Sequence, residues 1–330
     1  MIALCVGFIA LTTPADYIPS ASARGDIDLD RIKSDFSPAR IENKQADIAG
    51  FGSRLPGQPG YEATLDYVRR VFRNAGLDIY EQTYPVVSPL SRERSISRVI
   101  GEREVPMEGV EIYPLLPNAV QPVVTPPDGV TGRLVSLDAE EILNRTDFSD
   151  VIGLIDTRNG YYDEDLKFAW ERYARLGLKA VIISHPDGLA DIPWNEVYPA
   201  DRRDGISSSS PVNFVRLAAG PAIFDHLDRR VRIRVDSRME TVTGTNIIGI
   251  LRAPKPASEA VILTSAVDAY AVLPDSAKGV LNAISPAIFL QLVESLSAHR
   301  ERLGRDIVFF ASGASFSYFK GENEFLKILG

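Results

Sequence analysis

The segment 260–311 constrains the fold more than any other part of the chain. It begins with an apolar run at 260–265 that is typical of a buried strand, and a second such run follows at 306–311. Between them, apolar residues at helical spacing predict a helix over 286–298, which Ser285 caps. A strand, a crossover helix and a second strand form the right-handed parallel unit of an open α/β sheet.

The residues that follow these two strands form the candidate site. Ligand sites in open α/β sheets lie beyond the carboxyl ends of the strands, which here are residues 266–268 and 313–316. The polar residues that we expect in one pocket at this edge are Asp268, Asp275, Asn282 and Ser315. Their oxygen atoms are suitable ligands for a hard cation such as calcium. In the alternative interpretation, Asp275 belongs to a turn and Asp268 caps a loop.

The composition excludes several classes of protein. With 330 residues, of which 45% are hydrophobic and 24% charged, the chain is long enough for two globular domains. The net charge is -8 and no basic run occurs, which disfavours a nucleic-acid partner or an anionic membrane surface. The one cysteine, Cys5, excludes a disulfide framework and a cysteine-rich metal site.

Signatures of other catalytic sites are missing from the sequence. The three histidines, His185, His226 and His299, lack the i, i+4 partner or nearby carboxylate of a zinc or triad histidine, which predicts surface or core positions for them. No G-x-S-x-G motif of a serine hydrolase occurs. The glycine-rich segment 52–60 lacks the Lys-Ser/Thr pair of a phosphate-binding loop.

The N-terminus indicates export. Residues 1–12 are apolar but too few to cross a bilayer, and Ala21-Ser22-Ala23 offers a cleavage site of the A-x-A type. A positively charged start is missing, so residues 1–24 are predicted to be either a signal peptide or the end of a membrane span. Both alternatives place the remaining chain outside the cytoplasm, as a periplasmic, extracellular or membrane-anchored ectodomain.

Two stretches of sequence resemble the M28 family of zinc aminopeptidases. The loop and predicted helix FGSRLPGQPGYEATLDYVRRVFRNAGL at 51–77 resemble the family's N-terminal signature, and AVILTSAVD with GVLNAIS at 260–285 resemble its metal-binding strand and loop. The resemblance implies the phosphorylase/hydrolase-like open α/β sheet of zinc exopeptidases, formed by residues 25–111 and 239–330 and incomplete at its C-terminus. Within it, a polar hairpin is predicted at 252–259.

The same resemblance implies that the zinc chemistry is lost. Ala266 occupies the position of a histidine ligand, and Asn282 that of the aspartate that bridges two metal ions. Ser315 and Phe316 stand where the family has its general base and a neighbouring ligand. Asp268 matches the aspartate that orients the histidine ligand. The resemblance therefore implies no catalytic residue and no metal, and zinc is expected only if residues beyond 330 complete a displaced site.

The middle stretch, 112–238, has a different pattern. Apolar runs predict strands at 151–156 and 180–183 with a helix at 166–176 between them. They also predict strands at 212–217 and 231–235 with a helix at 221–228 between them. The pattern resembles the protease-associated (PA) domain that many M28 proteins carry as an insert. Such an insert shapes access to a site and performs no chemistry.

Three functions are compatible with these observations. The first is a metal-free, peptidase-like domain that binds a peptide or protein partner, in the mode of nicastrin-like ectodomains, with membrane anchoring through regions outside this chain. The second is an active zinc-dependent aminopeptidase with a displaced site. The third is an adhesion module in which the PA-like residues 112–238 carry the binding.

Overall fold

The computed structural model describes residues 35–115, 123–138, 142, 144–158, 169–192, 214–269, 273 and 280–329. The helices in this part of the chain are α1 (Pro38–Gly50), α2 (Pro59–Asn74), α3 (Ala169–Leu176), α4 (Val280–Ala298) and α5 (Lys320–Leu329). The first strands are β1 (Asp78–Ile100), β2 (Arg103–Pro106), β3 (Ile112–Pro114), β4 (Val130–Ser136) and β5 (Val151–Asp156). The remaining strands are β6 (Ala180–Ser184), β7 (Val215–Ala219), β8 (Arg230–Leu251), β9 (Ala260–Ala266) and β10 (Asp306–Ser312).

The chain forms two compact units. The first unit comprises Met1–Val86, Val242–Tyr270 and Ala277–Gly330, and the second comprises Val87–Thr241 and Ala271–Ser276. The long strands β1 and β8 contribute residues to both units. The assignment of the middle stretch to the PA type stays a prediction, and the predicted signal peptide or span end at 1–24 lies outside the described residues.

The first unit contains the predicted strand–helix–strand. Strand β10 lies parallel to β9, with Phe309 opposite Leu263, and antiparallel to β8, with Phe309 opposite Gly249. The sheet order in this unit is therefore β1, β8, β10, β9. The predicted mixed α/β class is confirmed, because the parallel pair is connected by the helix α4.

The hairpin predicted at 252–259 is wrong. Strand β10 lies between β8 and β9, so these two strands are not neighbours. The side chain of Arg252 instead donates hydrogen bonds to Asp78 at 3.0 Å and to Asp306 at 2.8 Å. Asp306 also accepts the Ala253 N–H at 2.8 Å. These contacts tie the end of β8 to the starts of β1 and β10.

Helix α4 begins before the predicted N-cap. It starts at Val280, so Ser285 lies inside the helix and does not cap it. The buried side chains of Ala283, Ala287 and Leu290 follow one another at helical spacing and pack into the core. This packing extends the helix to the N-terminal side of Pro286, although a proline cannot donate the usual backbone hydrogen bond.

Three phenylalanines from three elements form the centre of the first unit's core. The Phe72 ring of α2 lies 6.1 Å from the Phe289 ring of α4 and 6.2 Å from the Phe309 ring of β10, measured between centroids. Phe289 and Phe309 contact each other edge to face at 5.8 Å. Tilted and edge-on contacts of this kind are the favourable arrangements of aromatic pairs. They hold α2 and α4 against the sheet.

The second unit contains a parallel sheet that is buried on both faces. Strands β4, β5, β6 and β7 are neighbours in that order and parallel, while β3 pairs antiparallel with β7. On β5, Ile152 and Leu154 belong to one hydrophobic cluster, and Val151 and Ile155 belong to the other. Continuous apolar strands of this kind are typical of parallel sheets with both faces covered.

Two further predictions for this unit are corrected. The helix predicted at 221–228 is a 3-10 turn at Pro221–His226. The strand predicted at 231–235 is part of one continuous strand, β8, that runs from Arg230 to Leu251. Alternating buried residues on β8, such as Val231, Ile233 and Val235, show why the strand is regular at its start.

Among the described residues, no helix combines the length and hydropathy that a membrane span needs.

Candidate functional site

The candidate site lies at the carboxyl ends of β9 and β10. Because the two strands are parallel and Ser312 pairs with Ala266, their ends meet at the same edge of the sheet. The Val267 N–H donates to the Ser312 carbonyl at 2.9 Å, which extends the pairing past the end of β9. The segment that follows β10 therefore starts beside Asp268.

Asp268 holds the loop that follows β10. Its side chain is 1% exposed, and its two oxygens accept the backbone N–H of Ser315 at 3.1 Å and of Phe316 at 3.0 Å. Burial raises the pKa of the Asp268 carboxyl to about 7, and the charge of Glu322 acts in the same direction. The two N–H donors favour the ionised form and oppose this rise.

Glu322 is the second carboxylate of the site, and the sequence interpretation missed it. It lies in the first turn of α5, where its Oε1 atom accepts a hydrogen bond from the Ser315 hydroxyl. Its Oε2 atom is buried, and no hydrogen-bond partner for it is found among the described residues. The sequence feature that could have indicated Glu322 is an acidic residue seven positions after Ser315, in the first turn of a helix.

Asn246 on β8 ties the start of α5 to the loop. This fully buried side chain accepts the Tyr84 hydroxyl at 2.9 Å and the Gly313 N–H at 3.2 Å through Oδ1. Through Nδ2 it donates to Gln82 at 3.0 Å and to the Gly321 carbonyl at 2.8 Å. The side chain thus uses both N–H donors of its amide group and accepts two hydrogen bonds at its oxygen.

Two glycines allow this close packing. A Cβ atom on Gly313 would lie 1.9 Å from the Thr245 carbonyl oxygen, and one on Gly321 would lie 2.4 Å from the Ser312 hydroxyl. Real Cβ atoms do not approach other atoms so closely, so a side chain at either position would separate the backbone segments. Glycine at both positions lets the loop and α5 contact β8 and β10 directly.

Tyr61 supports the same edge from α2. Its buried hydroxyl accepts the Thr245 N–H at 2.8 Å, and burial raises the pKa of Tyr61 well above its usual range. Burial likewise raises the pKa of the Tyr84 hydroxyl. Both phenols therefore remain neutral donors or acceptors at physiological pH.

We expect Tyr61→Phe to lower the free energy of unfolding by about 1–2 kcal/mol, because the buried Thr245 N–H loses its acceptor. Urea denaturation monitored by circular dichroism measures the change. Tyr80→Phe, at a tyrosine that is 54% exposed, is the matched control and should leave the midpoint unchanged. Equal effects in the two variants would contradict the hydrogen bond.

The structure brings some of the predicted site residues together. Asp268 and Ser315 are in contact, with Phe316 next to them and Ala266 at the end of β9. Asp275 lies outside the described residues. Asn282 lies in the first turn of α4, and its side chain is outside the description. In the part of the chain that is described, no group of three His, Cys, Asp or Glu side chains could hold a metal ion.

The interpretation of the histidines needs two corrections. His299, at the end of α4, has a carboxylate partner, because its Nε2 atom lies 2.7 Å from the Asp35 Oδ2 atom. Asp35 precedes His299 by 264 residues, so their proximity has no local sequence signal. His185 accepts the Asp187 N–H at 3.1 Å through Nδ1, and the same atom lies 3.7 Å from the Asp187 carboxylate. Neither histidine is among the residues that surround Asp268.

Comparisons with known proteins give one sequence relative and a group of similar structures. No family model matches the chain. A protein of Mycobacterium tuberculosis named "Probable lipoprotein aminopeptidase LpqL" is 31% identical over 139 residues, which are 42% of this chain and 25% of LpqL. The chain thus matches about a quarter of the length of this curated relative.

Solved structures with a similar fold include a zinc aminopeptidase and an M28 peptidase. BSAP, a zinc aminopeptidase from Bacillus subtilis, has a TM-score of 0.52 at 16% identity, over 84% of this chain and 61% of BSAP. A peptidase M28 precursor from Shewanella amazonensis has a TM-score of 0.50 at 15% identity, over 87% of this chain and 66% of that protein. The fold is that of the M28-type zinc aminopeptidases. At these identities, the M28-type likeness concerns the fold alone, and it places Asp268 and Ser315 on a known scaffold.

Proposed function

We propose that this chain is a peptidase-like domain without zinc or hydrolytic activity that binds a peptide or protein partner. The observation that carries the proposal is the role of Asp268. Both of its oxygens accept backbone N–H groups of the loop after β10, so the carboxylate stabilises the loop, and Ala266 offers no imidazole for it to orient.

The neighbouring side chains do not fit a zinc ion. Zinc sites in proteins use sulfur, imidazole nitrogen or carboxylate oxygen, and a catalytic site needs three such ligands with one open position. Ala266 offers a methyl group and Phe316 a phenyl ring, and the Ser315 hydroxyl already donates to Glu322. We therefore derive no catalytic step that passes through a metal at this edge.

A location in the cell envelope is part of the proposal. The apolar residues 1–12 and the A-x-A site at 21–23 favour export. The name of the Mycobacterium tuberculosis relative, a lipoprotein aminopeptidase, agrees with such a location. A peptide or protein in that compartment is then the partner that the peptidase-like scaffold would bind.

The zinc content of the protein tests the proposal. We expect elemental mass spectrometry of the full gene product, purified without chelators, to detect no stoichiometric zinc, and aminoacyl anilides to remain uncleaved. BSAP prepared in the same way is the positive control. Stoichiometric zinc in the folded protein would overturn the proposal.

The second candidate is an active zinc aminopeptidase whose site is displaced and completed by residues beyond 330. The relative named as an aminopeptidase and the zinc aminopeptidase fold favour it. It predicts chelator-sensitive cleavage of aminoacyl substrates and loss of both zinc and activity in Asp268→Ala. Zinc that is present in the wild type and retained in Asp268→Ala would argue against a role for Asp268 in holding the metal.

A further inference from the structure

Strand β9 is an edge strand of the sheet in the first unit. It pairs with β10 over its whole length, from Ala260 to Ala266, and no other described strand pairs with it. Its sequence is nevertheless that of a buried strand, because all seven residues are uncharged and none is glycine or proline. Val261, Ile262 and Leu263 are apolar and yet only half-buried. Among the described residues, an apolar strand thus has one side without a partner.

The other edge strands among the described residues are protected against a further strand. Strand β2 has four residues, all exposed, and contains Arg103, Glu104 and Pro106. Strand β3 has three residues and ends in Pro114. Short length, charged side chains and proline are the usual means by which proteins keep an edge strand from pairing. Strand β9 has none of these features, so its edge is open to a further strand.

One hydrogen bond shows which backbone groups of β9 point outwards. The Val267 N–H donates to the Ser312 carbonyl, so the backbone of Val267 points towards β10. In a β-strand, the N–H and C=O of one residue point to the same side, and those of the next residue point to the opposite side. By this alternation, the odd-numbered residues of β9 bond to β10. The even-numbered residues, among them Ile262 and Thr264, direct an N–H and a C=O to the free edge.

We propose that the peptide or protein partner binds by adding an extended, uncharged strand to the free edge of β9. An extended chain offers a donor and an acceptor at every second residue, which is the spacing of the outward groups of β9. Side chains of the added strand lie beside Ile262 and Thr264 on one face and beside Val261 and Leu263 on the other, so apolar and β-branched residues fit them. The inference deepens the proposed function and rests on its peptide or protein partner, but not on the absence of zinc.

Packing on both faces of the sheet keeps β9 in place without a partner. On one face, Leu263 packs against the core of the first unit. On the other face, Phe310 lies opposite Thr264 on β10 and stacks on Phe325 of α5, with 4.1 Å between the ring centroids. Because β9 is already extended, binding has to order the partner strand but not β9, which lowers the entropic cost of association.

The added strand reaches the candidate site. Strand β9 ends at Ala266, and Asp268, two residues later, accepts the N–H groups of Ser315 and Phe316. A strand that is bound along β9 therefore extends to the loop that Asp268 holds. The edge of β9 and this loop are then parts of one binding surface.

Amide exchange, measured by NMR on the full chain, tests strand addition. The probe is a synthetic peptide of alternating threonine and valine with a lysine at each end, which combines high β-propensity with solubility. In the free protein, we expect the amides of Ile262 and Thr264 to exchange fast and that of Leu263 to exchange slowly. Saturating peptide should slow the exchange of Ile262 and Thr264 by at least about tenfold and leave Leu263 unchanged.

Two variants of the edge test the same contact by fluorescence anisotropy of the labelled peptide. Thr264→Pro removes an outward N–H but no hydrogen bond to β10, and it should weaken binding by at least about tenfold. Ile262→Lys keeps the backbone groups and adds a charge that opposes an apolar partner strand, so it should also weaken binding. Val308→Lys is the matched control, because Val308 lies beside Ile262 on β10 and is also half-buried but not at the edge. It should bind the peptide as the wild type does.

A peptide with two adjacent prolines at its centre lacks an N–H on each of its edges and should not bind. Unchanged binding in both edge variants, or no protection of Ile262 and Thr264 by saturating peptide, would overturn strand addition. Slow exchange of these two amides in the peptide-free protein would also overturn it, because the edge would already be paired, and sedimentation would show whether a second copy pairs there. Zinc in the same samples would overturn the proposed metal-free function alone, whereas zinc-free protein whose edge variants bind normally would overturn strand addition alone.

Discussion

Replacing Asn246 with alanine is expected to lower the free energy of unfolding by about 3–5 kcal/mol. The buried amide makes four hydrogen bonds, and its removal leaves the Tyr84 hydroxyl, the Gly313 N–H and the Gly321 carbonyl without their partner. Each buried polar group that loses its partner costs about 1–3 kcal/mol. The cavity that the amide group leaves is too small for several water molecules to replace all of these partners.

Urea denaturation at a fixed pH measures this change. Asn323→Ala is the matched control, because that asparagine is exposed on α5 and makes one long hydrogen bond of 3.5 Å. Its effect should stay within about 0.5 kcal/mol. A loss below about 1 kcal/mol in Asn246→Ala would show that α5 and the loop are not held together through β8.

The pH dependence of stability is the second large effect, and Asp268 determines its sign. Burial raises the pKa of this carboxyl from 3.8 to about 7, so the folded state binds more protons than the unfolded state between these values. The contribution of Asp268 is fully present below pH 4 and is lost as the pH rises through 7. With about 1.4 kcal/mol per pH unit over about three units, the loss amounts to about 4 kcal/mol.

Unfolding curves of the wild type and of Asp268→Asn between pH 4 and pH 8 isolate this contribution. We expect the difference in unfolding free energy, wild type minus variant, to fall across this range and to be constant above it. Asp306→Asn serves as a control, because the Ala253 N–H and Arg252 hold the pKa of Asp306 below its usual range. Its contribution is lost only as the pH falls below about 4, so the difference for this variant should stay constant between pH 4 and pH 8. A difference for Asp268→Asn that is independent of pH would contradict the buried titration.

The fold class could be predicted from the sequence because continuous apolar runs are typical of buried strands. The runs at 260–265 and 306–311 became β9 and β10, and the parallel pairing followed from the helix between them. The sequence could not show that β10 would insert between β8 and β9. That position depends on the pairing of Phe309 with Gly249 and on the contacts of Arg252, which join residues far apart in the chain.

The site was predicted in part, for a similar reason. Asp268 and Ser315 lie at strand ends, which sequence can locate, and the structure brings them together. Glu322 was missed because helix α5 folds back onto the loop, and Asn246 because it appeared as an ordinary strand residue. Long-range hydrogen bonds of this kind leave no periodic pattern in the sequence.

The two hydrogen bonds that Asp268 accepts also affect how surviving motif residues are interpreted in related chains. A position that must offer two coplanar acceptors to adjacent N–H groups tolerates aspartate well, whereas asparagine has one acceptor oxygen and alanine has none. The need for a folded loop alone would therefore suffice to explain an aspartate at this position, with or without a metal ion beside it. The identity of the neighbouring ligand positions is then the better guide to metal binding than Asp268 itself.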